Sequence, residues 1–328
     1  MLTRSTSFDY VTVGHVTVDV IAADGSRRPG GGAFYSALQA ARLGLRTLIL
    51  TQGTAPEIEV LLEPYRGELE LRVLPAPATT TLRTSWSGTQ RSQRMLAWAG
   101  PIAATVAVAD TRILHLAPVA RETPATWRGH ADFVGLTPQG LARAWHRAGR
   151  ARDRAGRVRD QAGEAGSEIV SAPLPSDRGS LEALLPRGCS AVVISEQERA
   201  ACAPLLDAAM AQGAVIAITA GPGATTVRTP GGESTRIQTP PVASPREDLG
   251  AGDVFAAAFF VALHEGLAPE RAAAFANAAA SIRIEGIGAD SIGDRGAIEV
   301  RLRNDDEHKE GKSSIKKQTE CNYGVTQS

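Results

Sequence analysis

Short apolar runs recur along this chain with helix-length segments between them, and that rhythm restricts the fold more than any other feature. Tyr10–Val20 (YVTVGHVTVDV) alternates β-branched residues with small or polar ones. Arg27–Gly32 (RRPGGG) breaks the run, and Ala33–Leu43 (AFYSALQAARL) then has helical periodicity up to Gly44. Leu45–Leu50 (LRTLIL) reads as the next strand, so the chain opens as β-α-β, which predicts a parallel sheet. Further runs lie at Arg112–Leu116, Phe133–Leu136, Ala191–Ile194 and Ala214–Thr219. The pattern predicts a doubly wound, mostly parallel α/β sheet flanked by helices.

Charge narrows the function. The 328 residues carry 35 basic and 35 acidic side chains, and a net charge of zero argues against nucleic-acid binding, which needs a basic footprint. All four lysines (Lys309, Lys312, Lys316, Lys317) fall in the last twenty residues, so residues 1–308 carry positive charge on arginine alone. This excludes from the body a P-loop lysine, a protein-kinase lysine and a Schiff-base or pyridoxal-phosphate anchor. Three scattered cysteines (Cys189, Cys202, Cys321) make neither a disulfide framework nor a metal knuckle. No stretch approaches the ~18 apolar residues of a membrane span, and no apolar leader precedes the first strand. A cytoplasmic protein without a membrane partner is expected.

Two stretches depart from the rhythm. Residues 142–166 are rich in Arg, Ala, Gly and Asp, and predict a solvated helix or flexible excursion. From Asn304 lysine replaces arginine and polar residues dominate, so residues 304–328 read as a disordered tail after a body spanning 1–303. Gly311-Lys312-Ser313 lacks the upstream glycine and preceding strand of a P-loop.

The chemistry concentrates in Glu247-Asp248-Leu249-Gly250-Ala251-Gly252-Asp253, followed by a helix apolar nearly all round that ends near Gly266. Such a turn leaves the first helical N–H groups open to an anion, and a carboxylate beside them can take a proton from a hydroxyl. The spacing alone leaves a second reading open: an acid that complements the helix dipole, worth about 0.3–1 kcal/mol, with no catalysis.

Gly250-Ala251-Gly252-Asp253 resembles the GAGD signature of the ribokinase-like, pfkB-type carbohydrate kinases. The resemblance implies that Asp253 is the base and that Gly250, Ala251 and Gly252 form the anion hole. Other segments resemble the same family in the same order over residues 9–303. Asp19, at the end of the first run, and Gly30-Gly31-Gly32 resemble its acceptor-binding aspartate and diglycine turn, although Asp19 alone is an ordinary strand-end carboxylate. Ser195-Glu196-Gln197-Glu198 stands where the family has Asn-x-x-Glu. The resemblance gives Glu198 a water-mediated hold on Mg²⁺, against the plain alternative of an exposed helix start. Thr219, Gly221 and Gly223 resemble the turn at the nucleotide phosphates, or else close a hairpin. Asn277, the only asparagine before residue 304, lies on the helix that borders adenine in the family, or is a helix-surface amide. Gln139, in Gly135–Gly140, and Arg91-Ser92-Gln93 resemble elements of inositol and archaeal sugar or nucleoside kinases, with turn punctuation sufficient for the former.

Departures qualify these expectations. Leu249 removes the hydroxyl that helps to hold a monovalent cation in several members, which argues against K⁺ activation although Gly288 and Ser291 resemble the far side of that site. Tyr35 stands where ribokinases carry asparagine, which counts against ribose. Only ten residues separate Asp19 from Gly30, so a reduced β lid is expected from segments near 20–30 and 79–98, with a monomer or weak homodimer. The implied activity is ATP- and Mg²⁺-dependent phosphorylation of a neutral hydroxylated small molecule: a sugar, inositol or nucleoside. The rival is a catalytically weak relative acting as a ligand-binding sensor. A dehydrogenase ranks last, since no G-x-G-x-x-G follows the first strand.

Overall fold

The computed structural model describes residues 8–305 except 89, 107, 109, 146–150, 153–157 and 160–165. Along the chain lie β1 (Phe8–Val13), β2 (Thr17–Ile21), β3 (Arg27–Gly30), α1 (Gly32–Arg42), β4 (Thr47–Gly53), α2 (Ala55–Leu61) and β5 (Glu70–Pro75). Then come β6 (Thr81–Ser87), β7 (Gln90–Ala97), β8 (Thr111–Leu116), β9 (Ala131–Leu136), β10 (Arg143–Trp145), β11 (Ala151–Arg152), β12 (Val158–Arg159), β13 (Ser167–Ser171) and α3 (Arg178–Glu182). The remainder is β14 (Ala191–Ser195), α4 (Arg199–Ala211), β15 (Val215–Thr219), β16 (Thr225–Arg228), β17 (Ser234–Ile237), α5 (Ala251–His264), α6 (Pro269–Arg283) and α7 (295–305).

The central nine-stranded sheet has the order β17-β16-β15-β14-β9-β8-β1-β4-β5. It is parallel except for the antiparallel pairs β15–β16 and β16–β17 at one edge. Helices cover both faces, which is why its strands read as nearly continuous apolar runs. On β14, Ala191 and Val193 join the core under α1, α5 and α6, whereas Val192 and Ile194 join the opposite core with Leu205 and Leu206 of α4. The strand order reverses between β1 and β8, both of which run parallel, and in such sheets a crevice opens there at the carboxyl ends.

The run Tyr10–Val20 is not one strand. It leaves the central sheet after Val13 and enters a second sheet at Thr17. Gly14 lies against the Ala117 carbonyl so closely that a Cβ would overlap it. The amides released at the bend go to side chains, His15 N–H to Glu122 Oε1 (2.9 Å) and Val16 N–H to Thr51 Oγ1 (2.8 Å). The breaker RRPGGG likewise holds a strand, because β3 is an edge, where Pro29 costs no ladder bond.

The second sheet, order β10-β13-β7-β6-β2-β3, takes in both segments expected to form a lid. It contains hairpins from the two segments expected, β2–β3 and β6–β7, and two further strands. These strands bracket the Arg/Ala-rich segment. Arg143–Trp145, expected within a helix or flexible excursion, is extended because it pairs with β13 and Trp145 packs on Trp98 with ring centroids 5.5 Å apart. Within the rest of 142–166 only the small β11–β12 ladder is described. At the end, α7 runs two residues past the composition break at Asn304, and residues 306–328 lie outside the described residues.

Candidate active site

Helix α5 begins at Gly250, whose φ of 78° is left-handed and favours glycine, and a Cβ there would enter the Tyr35 ring. The Ala251 N–H is already used, donating to the Asp248 carbonyl (3.1 Å), whereas Gly252 and Asp253 N–H remain open as the first turn requires. Of the first three helical amides, two are therefore open. Gly252 is exposed, and nothing would lie within 4 Å of a Cβ there.

Asp253 follows in the first turn, on the face of α5 toward α1. A Cβ at Gly32 would sit 2.8 Å from its Oδ1, so the third glycine of the RRPGGG run makes room for this carboxylate. A Cβ at Gly30 would overlap the Asp19 carboxylate, and one at Gly31, with φ 89°, would meet the His15 carbonyl. The glycine run thus brings both acids to one place. Asp19 and Asp253 line an inner pocket of about 60 Å³ with Gly31, Gly32, Tyr35 and Thr137. It joins an outer pocket of about 530 Å³ through Arg91, Gln93, Gln139 and Arg143, which line both.

Burial sets the electrostatics. It raises the Asp253 carboxyl to about 7 against the opposing pull of Arg143 and Arg91, with Glu198 and Asp19 adding to the rise. Burial also raises Asp19 to about 6, opposed first by the Thr17 hydroxyl, which donates to Oδ1 (2.8 Å). The Asp253 carboxylate accepts no hydrogen bond among the described residues, so its oxygens are free for a ligand. Beneath the pocket, Tyr10 Oη and His115 Nδ1 are 2.9 Å apart and His115 Nε2 reaches Thr137 Oγ1 at 3.1 Å. Burial lowers His115 to about 3, so it stays neutral and holds the Thr137 hydroxyl in place.

Ser195 and Thr219 end adjacent parallel strands in register. Ser195 takes the asparagine's place by donating from N (3.0 Å) and Oγ (2.5 Å) to Glu198 Oε2, and Gln139 Nε2 donates to Oε1 at 2.5 Å. Gln139 therefore bridges the inner pocket to Glu198. Glu198 keeps lone pairs to spare and lines the outer pocket with Asp248. Among the described residues no three His, Cys, Asp or Glu side chains cluster to hold a metal. Mg²⁺ binds through one or two carboxylates, its own waters and substrate phosphates, and the outer pocket has Glu168, Glu198 and Asp248 on its wall. The Thr219–Gly223 turn closes by Gly223 N–H to Ala220 O (2.9 Å), with Gly221 at φ 57°.

Asn277 is not free for a nucleotide. It is 3% exposed, its Oδ1 accepts from Thr225 (2.7 Å), and its Nδ2 faces the Ile237 and Gln238 carbonyls at 3.3 and 3.4 Å. The lone asparagine ties α6 to the β16–β17 hairpin.

The oxygen set that resembled a monovalent-cation site already holds a cation. The fully buried guanidinium of Arg283 donates to Leu249 O (2.6 Å), Glu247 Oε2 (2.9 Å), Ser291 Oγ (3.1 Å) and Gly286 O (3.4 Å). K⁺ does not fit there. Glu247 also takes Gly288 N–H (2.7 Å) and Arg28 of the lid (3.2 Å), so one carboxylate links lid, loop and the turn before the anion hole. No motif pointed to Arg283 or Arg143. Arginine contacts depend on chain crossings that spacing does not record.

With this geometry in place the comparisons are informative. Residues 150–294 match the model of the pfkB family carbohydrate kinases. No curated protein sequence matches the chain. Among solved structures it is similar to a pyrophosphate-dependent myo-inositol-1 kinase converted into a myo-inositol-3 kinase, at 19% identity and TM-score 0.62, covering 88% of this chain and 98% of that one. It is also similar to Arabidopsis thaliana ribokinase complexed with ribose and ATP, at 18% identity and TM-score 0.62, covering 90% and 98%. A Methanocaldococcus jannaschii nucleoside kinase, an archaeal member of the ribokinase family, is similar at 16% identity and TM-score 0.62, covering 90% and 98%. Such identities show the fold: over most of its length the chain has the architecture of the ribokinase-like kinases, and residues 150–294 match the model of the pfkB family carbohydrate kinases.

Proposed function

We propose that the chain transfers the γ-phosphoryl group of ATP to a hydroxyl of a sugar-, inositol- or nucleoside-type acceptor. The observation that carries this reading is the Asp253 carboxylate, without a hydrogen bond among the described residues and raised to about 7, at the open N-terminus of α5 in the pocket that Asp19 also lines. A base is most effective with a pKa near the working pH and contributes ~10²–10⁴-fold. Asp253 accepts the proton of the acceptor hydroxyl at a carboxylate oxygen. Gly252 and Asp253 N–H stabilise charge on the phosphoryl oxygens in transit, and Asp19 orients the acceptor. When bound, Mg²⁺ neutralises donor phosphate charge, with Glu198 as its water-mediated partner. Arg283 holds the turn before the anion hole, and no K⁺ is needed.

One observation favours the rival, a weakly catalytic ligand sensor: both Glu198 oxygens are already bonded within the protein. Phosphoryl transfer from ATP across a panel of sugars, polyols and nucleosides, with wild type and Asp253→Asn, separates the two. Turnover abolished by Asp253→Asn is the expected result. ATP binding without turnover on any acceptor would leave the sensor. Sedimentation tests the weak self-association expected from the lid, which exposes Trp86, Leu96, Trp98 and Val170; a tight dimer at micromolar concentration would refute it.

A further inference from the structure

Two arginines at the neck between the pockets lack the partners that the chain's other buried cations have. Arg143 on β10 donates to Val119 O (3.0 Å) and Gln93 Oε1 (3.1 Å), both neutral, and makes no ion pair among the described residues. Arg91 on β7 has one carboxylate in reach, Asp248 at 3.7 Å, which is 67% exposed. Elsewhere, Arg283 pairs with Glu247 at 2.9 Å and Arg42 with Glu68 at 2.9 Å. The neck arginines also repel each other, since Arg91 adds to the lowering that burial imposes on Arg143. Two half-buried guanidiniums side by side, one bonded only to neutral oxygens and the other facing a single exposed carboxylate at 3.7 Å, are costly unless an anion joins them.

Position indicates which anion. Both arginines stand on lid strands, on the side of the pocket to which the lid also contributes Asp19, Leu82 and Gln93. The opposite wall, with Gln197 and Glu198, comes from the central-sheet half and follows β14. An acceptor with its hydroxyl at Asp253 would extend from the inner pocket toward the neck. Guanidinium forks match phosphate and carboxylate oxygens in paired geometry.

We propose that the acceptor carries an anionic group, a phosphate monoester or a carboxylate, bound by Arg91 and Arg143. This rests on the kinase reading and replaces the neutral acceptor expected from the sequence. It gives the lid arginines a specificity role: a neutral polyol leaves Arg143 without an anionic partner and Arg91 with only the exposed Asp248, whereas a sugar phosphate or sugar acid neutralises both.

Calorimetric titration of the full chain without donor tests this with ribose and myo-inositol as neutral ligands, a hexose phosphate and an aldonic acid as anionic ones, and ATP. The expected result is that at least one anionic ligand binds about ten-fold or more tightly than the neutral ones. Arg91→Gln and Arg143→Gln should each remove that advantage and leave ATP affinity within about three-fold. Which anionic ligand responds identifies phosphate or carboxylate. Neutral ligands binding as tightly, or both variants weakening ATP instead, would overturn the proposal and assign the arginines to the donor. Arginine-dependent anion binding without phosphoryl transfer would sink the kinase reading and leave Arg91 and Arg143 as the anion site of a bound ligand rather than of an acceptor. Turnover of neutral acceptors alone does the reverse.

Discussion

Asp253→Asn should make the protein more stable at alkaline pH while it removes activity. Folding raises this carboxyl from 3.8 to about 7, chiefly by desolvation. As pH rises, the unfolded chain therefore releases the proton first. The stability conferred by the raised pKa is full below 3.8 and is lost as pH climbs to about 7. About three pH units at about 1.4 kcal/mol each bound the loss at about 4 kcal/mol. The pocket admits water, so about 1–3 kcal/mol is the expected size, within the usual range for one substitution. Asparagine cannot ionise and escapes the loss. Urea denaturation of wild type and variant from pH 4 to pH 9 measures it: the curves should nearly coincide at the acid end and separate, variant more stable, above about pH 7. The pH–rate profile of wild type should rise through the same region, because the base must be ionised. Parallel stability curves across the range, or a variant retaining wild-type turnover, would refute the assignment of a desolvated base. Asp19, raised to about 6 chiefly by burial, adds a similar slope that both proteins share in the main, since its coupling to Asp253 is a minor cause beside burial.

Other substitutions probe the supports of the site. Arg283→Ala removes the donors to Leu249 O, Glu247 and Ser291, and should cost about 3–5 kcal/mol as the breaking of a buried ion pair; wild-type turnover should be the same in potassium and sodium salts, and K⁺ activation would refute the role given to the guanidinium. Gly252→Ala has open space for its methyl and should stabilise the helix by up to about 1 kcal/mol in thermal unfolding while lowering kcat, because the methyl narrows the approach to the open amides. Asn277→Leu should cost about 1–3 kcal/mol, since Thr225 Oγ1 and the Ile237 carbonyl lose a buried partner. Its KM for ATP should hold; a ten-fold rise would return Asn277 to the nucleotide site.

The α/β rhythm and the glycine turn into α5 were legible along the chain because each depends on neighbours in sequence: period, turn chemistry and the open amides of a first helical turn. The β1–β2 break was not, because its cause is a contact between Gly14 and the distant Ala117 carbonyl together with amides satisfied by Glu122 and Thr51. Nor was the strand at Arg143–Trp145, whose composition reads as a solvated helix until β13 pairs with it. The same limit governed the chemistry. Sequence order alone put an acid and open amides at residues 250–253, which follows from local geometry. Whether the Asn277 amide was free or bonded within the fold, what occupied the cation-like site and which side chains lined the pocket with Asp253 were decided by tertiary structure. Each depends on where an amide or a guanidinium finds its oxygen partners, and the deciding ones lie tens to hundreds of residues away, as Arg283 and Glu247 do at |i−j| 36 and Arg28 and Glu247 at |i−j| 219.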